Sequence, residues 1–113
     1  MSGRNFPHRG DIYWGNLDPS IGVEIKKKRP CLIVSNDLGN EVSNIVMIAP
    51  ITSKIKKVYS YEVQVELEKK LGKVMLNQCR AIDKSRLGQK MGELDFNDMK
   101  LVDNALKIAF GLS

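Results

Sequence analysis

A short apolar run at residues 31–34 is the most strand-like stretch of the chain, because it is long enough for a buried strand and too short for a helix. Pro30 precedes the run, at the end of a strand where a missing N–H does least harm. A residue before a proline is restricted to extended backbone, so the pattern predicts an extended Arg29 at the mouth of a core strand. The polar residues 35–37 predict a turn at the other end.

Apolar runs and alternations elsewhere predict a small β-rich domain. Residues 45–51 form a second buried run, and residues 61–67 place apolar and polar side chains on alternate faces of a strand. Strands are also predicted within residues 9–14 and 74–82, and a long loop over 15–28. Turns are predicted over 37–40 and 69–72, and a turn or one helical turn over 83–88.

The hydrophobic period changes near the C-terminus. From Met99 onward, apolar residues recur at intervals of three or four, which predicts a helix within residues 94–110. Asp95 is a favourable N-cap, and Gly111 is a favourable residue just past the helix end. We therefore expect a small, strongly curved β-sheet or barrel with one C-terminal helix.

Length and composition fit one globular domain. The chain has 113 residues, of which 42% are hydrophobic and 27% charged. Residues 1–8 show no period and predict a disordered tail, which leaves residues 9–113 as the domain. No apolar segment has the length of a signal peptide core or a membrane span, so the cytoplasm is the expected location and no membrane partner is expected.

Charge and residue content restrict the chemistry. The net charge of +5 favours an acidic partner such as nucleic acid, an acidic protein or an anionic surface. The one histidine, His8, lies in the predicted tail, which argues against a serine or cysteine triad and against a two-histidine ribonuclease mechanism. Cys31 and Cys79 lack the paired spacing of a metal site, and no glycine-rich phosphate loop occurs. We expect neither a metal nor a cofactor.

Arginine, lysine, threonine and carboxylates remain as candidate functional groups. Arg29, Arg80 and Arg86 could clamp a phosphate, and the hydroxyl of Thr52, just past a buried strand, could reach a substrate oxygen. RNA can be cleaved without a metal, because its 2′-hydroxyl is a built-in nucleophile. Fixed cations aimed at the phosphorane are usually the largest catalytic contribution to such a reaction.

Several motifs in register resemble those of the MazF/PemK toxin family. They are RGDIYW at residues 9–14, Gly-x-Glu at 22–24, RPCLIVSND at 29–37, PITS at 50–53 and QCRAIDKSRL at 78–87. The match runs from Arg9 into the C-terminal helix. It implies an SH3-like β-barrel of the CcdB/MazF/PemK type with a C-terminal α-helix, in a cytoplasmic homodimer.

The resemblance also implies an activity and a partner. Members of the family are mRNA interferases, which cleave single-stranded RNA at short sequences without a metal. The products carry a 2′,3′-cyclic phosphate and a 5′-hydroxyl. A cognate MazE-like antitoxin blocks them by laying an extended acidic tail across the RNA groove.

Carried over by position, the catalytic residues are Arg29 and Thr52, with Glu24 orienting the arginine. Because guanidinium is a very weak acid and a poor source of a free base, we expect Arg29 to stabilise the phosphorane and donate a proton to the leaving oxygen. The candidate RNA contacts are Lys26, Lys27, Lys28, Ser53, Lys54, Tyr59, Gln78, Arg80 and Arg86.

Each candidate also has a purely structural explanation. Arg29 could be a surface arginine paired with a nearby carboxylate, Thr52 a turn residue, and Arg80 a cross-strand partner. Tyr59 could pack in the barrel, where Trp14 is also expected. Two other functions stay open, a plain RNA-binding barrel and a CcdB-like gyrase-binding toxin, although the chain lacks the Trp-Gly-Ile tail of the latter.

Overall fold

The computed structural model describes residues 5–17 and 28–113, which form a curled antiparallel sheet with a C-terminal helix. The strands are β1 (Asp11–Asn16), β2 (Lys28–Ile33), β3 (Ile45–Thr52), β4 (Glu62–Leu67), β5 (Lys70–Met75), β6 (Arg80–Asp83) and β7 (Leu87–Glu93). The helices are α1 (Asp37–Val42) and α2 (Phe96–Phe110), and two 3₁₀ turns span Leu76–Gln78 and Lys84–Arg86. In the described part, no helix is long and apolar enough to cross a membrane.

The strand order is β4-β5-β3-β2-β1-β7, with β6 paired to the first half of β3. All pairings are antiparallel. In the centre, Gly15 of β1 pairs with Arg29 of β2, and Cys31 of β2 pairs with Pro50 of β3. Strand β3 pairs with β2 and β6 in one half of the curled sheet and with β5 in the other half, so it belongs to both.

Alternate residues of the strands supply two separate apolar clusters. The larger cluster packs the sheet against α2, and it includes Leu32, Ile51 and Val102. The smaller cluster lies on the other face of β2, β3 and β6, and it includes Cys31 and Ile48. Because successive strand residues point to opposite faces, the apolar run of β2 is buried on both sides, as its pattern predicts.

Two predicted turns are corrected by the structure. Residues 37–40 lie in α1, because the Asn36 side chain caps the helix by accepting the Gly39 N–H at 2.7 Å. The turn expected over 69–72 is confined to Glu68 and Lys69, which both have positive φ and form a two-residue hairpin loop, whereas Lys70 already begins β5.

The last strand was missed, and the first is displaced. Residues 83–88 contain a 3₁₀ turn, but β7 begins at Leu87, and its mostly exposed residues carry no clear alternation. Strand β1 begins two residues later than predicted and continues to Asn16, inside the expected loop.

The C-terminal helix agrees with its prediction. The Asp95 carboxylate accepts the Asp98 N–H at 2.8 Å, and Gly111 ends the helix with φ of 70°. At the other end of the chain, Pro7 is buried and the His8 N–H donates to the Asp11 carboxylate at 2.8 Å. The division of the chain at residue 8 stays a prediction.

Candidate active site

A cleft opens where β2 and β3 stop pairing. Their paired residues end at Cys31 and Pro50, although β2 begins three residues earlier and β3 continues to Thr52. Val34 donates its N–H to the Met47 carbonyl, and by alternation along β2 the backbone of Pro30 also faces β3. Pro30 has no N–H to extend the ladder, so this proline explains why the strands separate there. Beyond the separation, β2 pairs with β1, and β3 pairs with β5.

The cleft brings the two predicted catalytic residues together. It has a volume of about 610 Å³, and both Arg29 and Thr52 line it. Arg29 lies two residues before Cys31 on β2, and Thr52 lies two residues after Pro50 on β3, so each shares the face of that last pair. Residues opposite each other in an antiparallel pair project from the same face. Both side chains are half-buried, so each is fixed by its surroundings and still open to a ligand.

The walls of the cleft are basic and partly apolar. Four cationic side chains line it against one acidic side chain, Glu68, among the described residues. The cations are Lys28, Arg29, Lys54 and Lys70, and the apolar contributors include Ile51, Leu67, Leu71 and Met91. Such walls suit a ligand that combines phosphates with flat, less polar groups.

The Thr52 hydroxyl is oriented by its own backbone. Its Oγ1 accepts the Lys54 N–H at 3.2 Å. An oxygen that accepts this bond keeps its own proton available to donate to a ligand in the cleft. Ser53 lies between these two residues, is exposed, and lines the same cleft.

Two arginines act electrostatically on the buried Cys31 thiol. Burial raises the pKa of the Cys31 thiol to about 12, while Arg29 and Arg80 both act in the opposite direction. Both arginines are therefore close enough to act on one buried sulfur. The thiol itself is fully buried and protonated, which makes it a packing residue rather than a nucleophile.

Trp14 was predicted in the core, and this prediction is wrong. Its side chain is 38% exposed and forms a wall between the first cleft and a second cleft of about 620 Å³. The register pairs Trp14 with Pro30, at the point where β2 has left β3, and the indole lies at the rim of both clefts. Lys28 and Arg86 line the second cleft.

Two further candidate RNA contacts, Arg86 and Arg80, form hydrogen bonds with the backbone just before residue 18. The Arg86 guanidinium donates to the Asn16 carbonyl at 3.2 Å, and that of Arg80 donates to the Leu17 carbonyl at 3.5 Å. Both arginines thus have a structural contact in addition to any ligand contact. Glu24, Lys26 and Lys27 lie outside the described residues.

Gln78 and Tyr59 are not brought into the first cleft. Gln78 was expected on a strand, but it ends a 3₁₀ turn, where its amide contacts the Met75 sulfur at 3.5 Å. Tyr59 lies in the segment that joins β3 to β4, stacked on Tyr61. Within the described residues, no group of three or more histidine, cysteine or carboxylate side chains could hold a metal ion.

Sequence reasoning missed one pair of charged residues beside this site. Lys73 of β5 pairs in register with Thr52, and its ammonium forms an ion pair with Glu62 at 2.9 Å. The pattern held a signal for the pair, since Glu62 and Lys73 stand where their strands alternate with buried valines. Pairing β4 with β5 was needed to see that the two charges meet.

The curled sheet and the terminal helix define a small half-barrel protein with a basic cleft at the rim of its sheet. The family model described as PemK-like, MazF-like toxin of type II toxin-antitoxin system matches residues 8–110. A curated relative from Staphylococcus saprophyticus subsp. saprophyticus, named Endoribonuclease MazF, is 42% identical over 110 residues, which cover 92% of this chain and 91% of the relative.

Solved structures show the same fold. MazF (Form-I) from Deinococcus radiodurans matches with a TM-score of 0.80 at 29% identity, covering 95% of this chain and 98% of the other. An endoribonuclease in complex with its cognate antitoxin, from Mycobacterial species, matches with a TM-score of 0.81 at 26% identity, covering 95% and 97%. The chain therefore belongs to the PemK-like, MazF-like toxins of type II toxin-antitoxin systems. The predictions of family and fold class are confirmed.

Proposed function

We propose that this toxin is an endoribonuclease that cleaves single-stranded RNA in the first cleft, by attack of a 2′-hydroxyl on the adjacent phosphorus and without a metal ion. The 42% identical relative bears the name of an endoribonuclease, and the two chains match over nearly their whole length. The observation that carries the chemistry is the presence of Arg29 and Thr52 in one basic cleft, each two residues beyond the last pair of β2 and β3 and on the same face.

The reaction forms a bond from the 2′-oxygen to phosphorus and breaks the bond from phosphorus to the 5′-oxygen. The proton of the 2′-hydroxyl passes to solvent water as the nucleophile attacks, and the departing 5′-oxygen takes a proton from Arg29, which regains one from solvent. Arg29 stabilises the dianionic phosphorane with charge-assisted hydrogen bonds and donates to the leaving oxygen. Thr52 donates its hydroxyl proton to a second phosphoryl oxygen. Glu24 is proposed to orient the arginine.

The RNA strand follows the basic walls. Lys28, Ser53 and Lys54 line the cleft and are proposed to contact its phosphates. Lys26 and Lys27 extend this basic stretch in sequence, and Tyr59, Gln78, Arg80 and Arg86 are proposed contacts outside the first cleft. Phosphate contacts release counterions, so RNA binding should weaken steeply as salt rises.

The proposed partners follow from the family and the charge of the cleft. A relative of the same fold is described in complex with its cognate antitoxin, and other solved structures are of MazE-MazF complexes. We propose that a MazE-like antitoxin covers the same basic cleft with acidic side chains. A homodimer in the cytoplasm is the proposed form of the toxin.

The test compares wild-type protein with Arg29→Ala on single-stranded RNA in the presence of EDTA. Wild type should cleave and leave 2′,3′-cyclic phosphate ends. Losing one donor aimed at a developing oxyanion lowers kcat by about 10²–10³, and Arg29→Ala should lose at least that much. Lys100→Ala removes one exposed positive charge from α2 and should cleave like wild type. Unchanged cleavage by Arg29→Ala, in a variant of unchanged thermal stability, would refute the mechanism.

A further inference from the structure

Two tyrosines in the segment between β3 and β4 form a stacked pair. The ring centroids of Tyr59 and Tyr61 are 5.4 Å apart, and the ring planes differ by 6°. Tyr59 is 44% exposed, whereas Tyr61 is half-buried beneath it. The exposed Lys57 places its ammonium 4.9 Å from the centroid of the Tyr59 ring. The Lys73 ammonium also lies over this ring, 5.8 Å from its centroid. The pair therefore presents an exposed aromatic ring in contact with cations.

A buried ion pair holds this segment in position. The Lys73 ammonium donates to Glu62 Oε1 at 2.9 Å and to the Lys57 carbonyl at 2.7 Å. The same Glu62 oxygen accepts the Tyr59 N–H at 2.9 Å. The side chains of Lys73 and Glu62 are only 10% and 6% exposed. Two charges held this deeply, with hydrogen bonds to the chain on either side of Val58, fix the backbone that carries Tyr59.

The ion pair also connects the tyrosines to the cleft. Lys73 pairs in register with Thr52 on one side and with Gln64 on the other. Partners in an antiparallel ladder project from one face, and the neighbouring Val63 and Val74 face the core on the opposite side. Thr52, Lys73 and the aromatic surface therefore lie in sequence along the face of the sheet that points away from α2.

We propose that Tyr59, supported by Tyr61, is a stacking subsite for one unpaired base of the RNA strand, and that the Lys73–Glu62 pair positions it relative to the cleft. The inference rests on the proposed function, because it assigns the place of a second nucleotide of the same substrate. An aromatic face accepts any base, so the subsite contributes affinity and register along the strand rather than base identity. A stacked base displaces the exposed Lys57 ammonium from above the ring, and this cation then pairs with the adjoining phosphate.

Stacking on a base predicts a coupling that can be measured directly. The probe is a single-stranded RNA oligonucleotide that the wild-type toxin cleaves, made uncleavable by a 2′-deoxy substitution at the cleaved position. A series of these oligonucleotides each lacks one base. Wild type should bind one member of the series about 5- to 150-fold more weakly than the intact strand, the range observed for removing one base–aromatic stack.

The variant Tyr59→Leu should bind the intact strand more weakly than wild type by the same factor. Removing the one sensitive base should not weaken its binding further. Tyr59→Phe keeps the ring and should bind like wild type. Phe96→Leu is the matched control, because Phe96 is an exposed aromatic residue on α2 with the Lys100 ammonium 5.4 Å from its ring. That variant should not change RNA binding at any position.

The positioning role of Lys73 needs a variant that leaves no unpaired buried charge. Lys73→Met combined with Glu62→Leu removes both charges, and it should raise the KM for RNA by the factor seen for Tyr59→Leu. The RNA affinity of this double variant should also no longer depend on the one sensitive base. A double variant that folds and keeps that dependence would remove Lys73 and Glu62 from the proposal.

The outcomes separate this subsite from the cleavage mechanism. If Tyr59→Leu and wild type lose affinity equally for every abasic member, the stacking subsite is wrong, while cleavage that depends on Arg29 still supports the nuclease. If wild type cleaves no RNA, the proposed function fails first. A third outcome is that Tyr59→Leu binds every member of the series more weakly than wild type does, by one common factor, and is still weakened by loss of the same base. Tyr59 would then act on the phosphate chain, and the stacking proposal would be overturned.

Discussion

Replacing Gly15 by alanine should destabilise the protein and displace Arg29 at the same time. Gly15 is buried in β1 and pairs with Arg29. A Cβ at this position would lie 2.6 Å from the Cys31 sulfur. Carbon atoms in good contact are about 3.5–4.0 Å apart, so one of the two strands must move by roughly 1 Å.

The packing around Cys31 decides how large the effect is. Its side chain is fully buried in the smaller apolar cluster, so the sulfur has no open space into which it could turn. Overpacking a well-packed core costs about 1–3 kcal/mol. Alanine in a strand recovers about 0.5–1 kcal/mol relative to glycine. We expect a net loss of about 1–2 kcal/mol in the free energy of unfolding.

Cys31→Ala supplies the compensating change. Alone it removes one buried atom and should cost about 1 kcal/mol, close to the value for a buried methylene group. In the double variant the new methyl group occupies the space that the sulfur leaves. The two effects should therefore fail to add, with a coupling free energy of about 1–3 kcal/mol in favour of the double variant.

Urea unfolding monitored by circular dichroism and by the fluorescence of Trp14, the single tryptophan, measures all four proteins. RNA cleavage provides a second readout, because a displacement of about 1 Å at a catalytic group can cost 10²-fold in rate. Gly15→Ala should lose activity, and the double variant should recover it. If the two unfolding effects add, contact with the Cys31 sulfur is not the reason for glycine at this position.

Two further predictions concern the hairpin loop and the buried thiol. Lys69 has φ of 67°, so Lys69→Gly should raise stability by about 0.5–1 kcal/mol, since relief of left-handed strain of about 1–2 kcal/mol exceeds the entropic cost of glycine; a loss in urea unfolding would contradict this. Burial raises the pKa of Cys31 from 9.0 to about 12, so above pH 9 the unfolded state loses a proton that the folded state keeps. Stability should then fall by up to about 1.4 kcal/mol per pH unit, and Cys31→Ala should show a shallower decline than wild type over pH 9–11; parallel declines would refute this.

Local sequence patterns predicted a secondary-structure element correctly where a few neighbouring residues decide its backbone conformation. The apolar run of β2, the alternation of β4 and the capped helix α2 were all predicted, because burial period and cap chemistry act within a few residues. The same reasoning failed for α1, whose six residues include a glycine and offer no apolar period. It also failed for β7, where few residues are buried.

The catalytic candidates were found by motif, and only their grouping required the structure. Arg29 and Thr52 are 23 positions apart in the printed sequence, and nothing local relates them. The roles assigned to them, and to the other candidate contacts, stay predictions. The correction at Trp14 has the same origin, because its exposure depends on the two clefts that tertiary packing leaves next to it.

The sequence by itself determined the family, the β-rich class, the terminal helix and an extended arginine at the start of a buried strand. These depend on side-chain type and on spacing along the chain, which are local properties. Tertiary structure alone decided where β2 separates from β3, that the gap becomes a basic cleft, and that a buried lysine–glutamate pair lies beside it. These depend on the register between strands distant in sequence, and register is set by how the whole sheet packs.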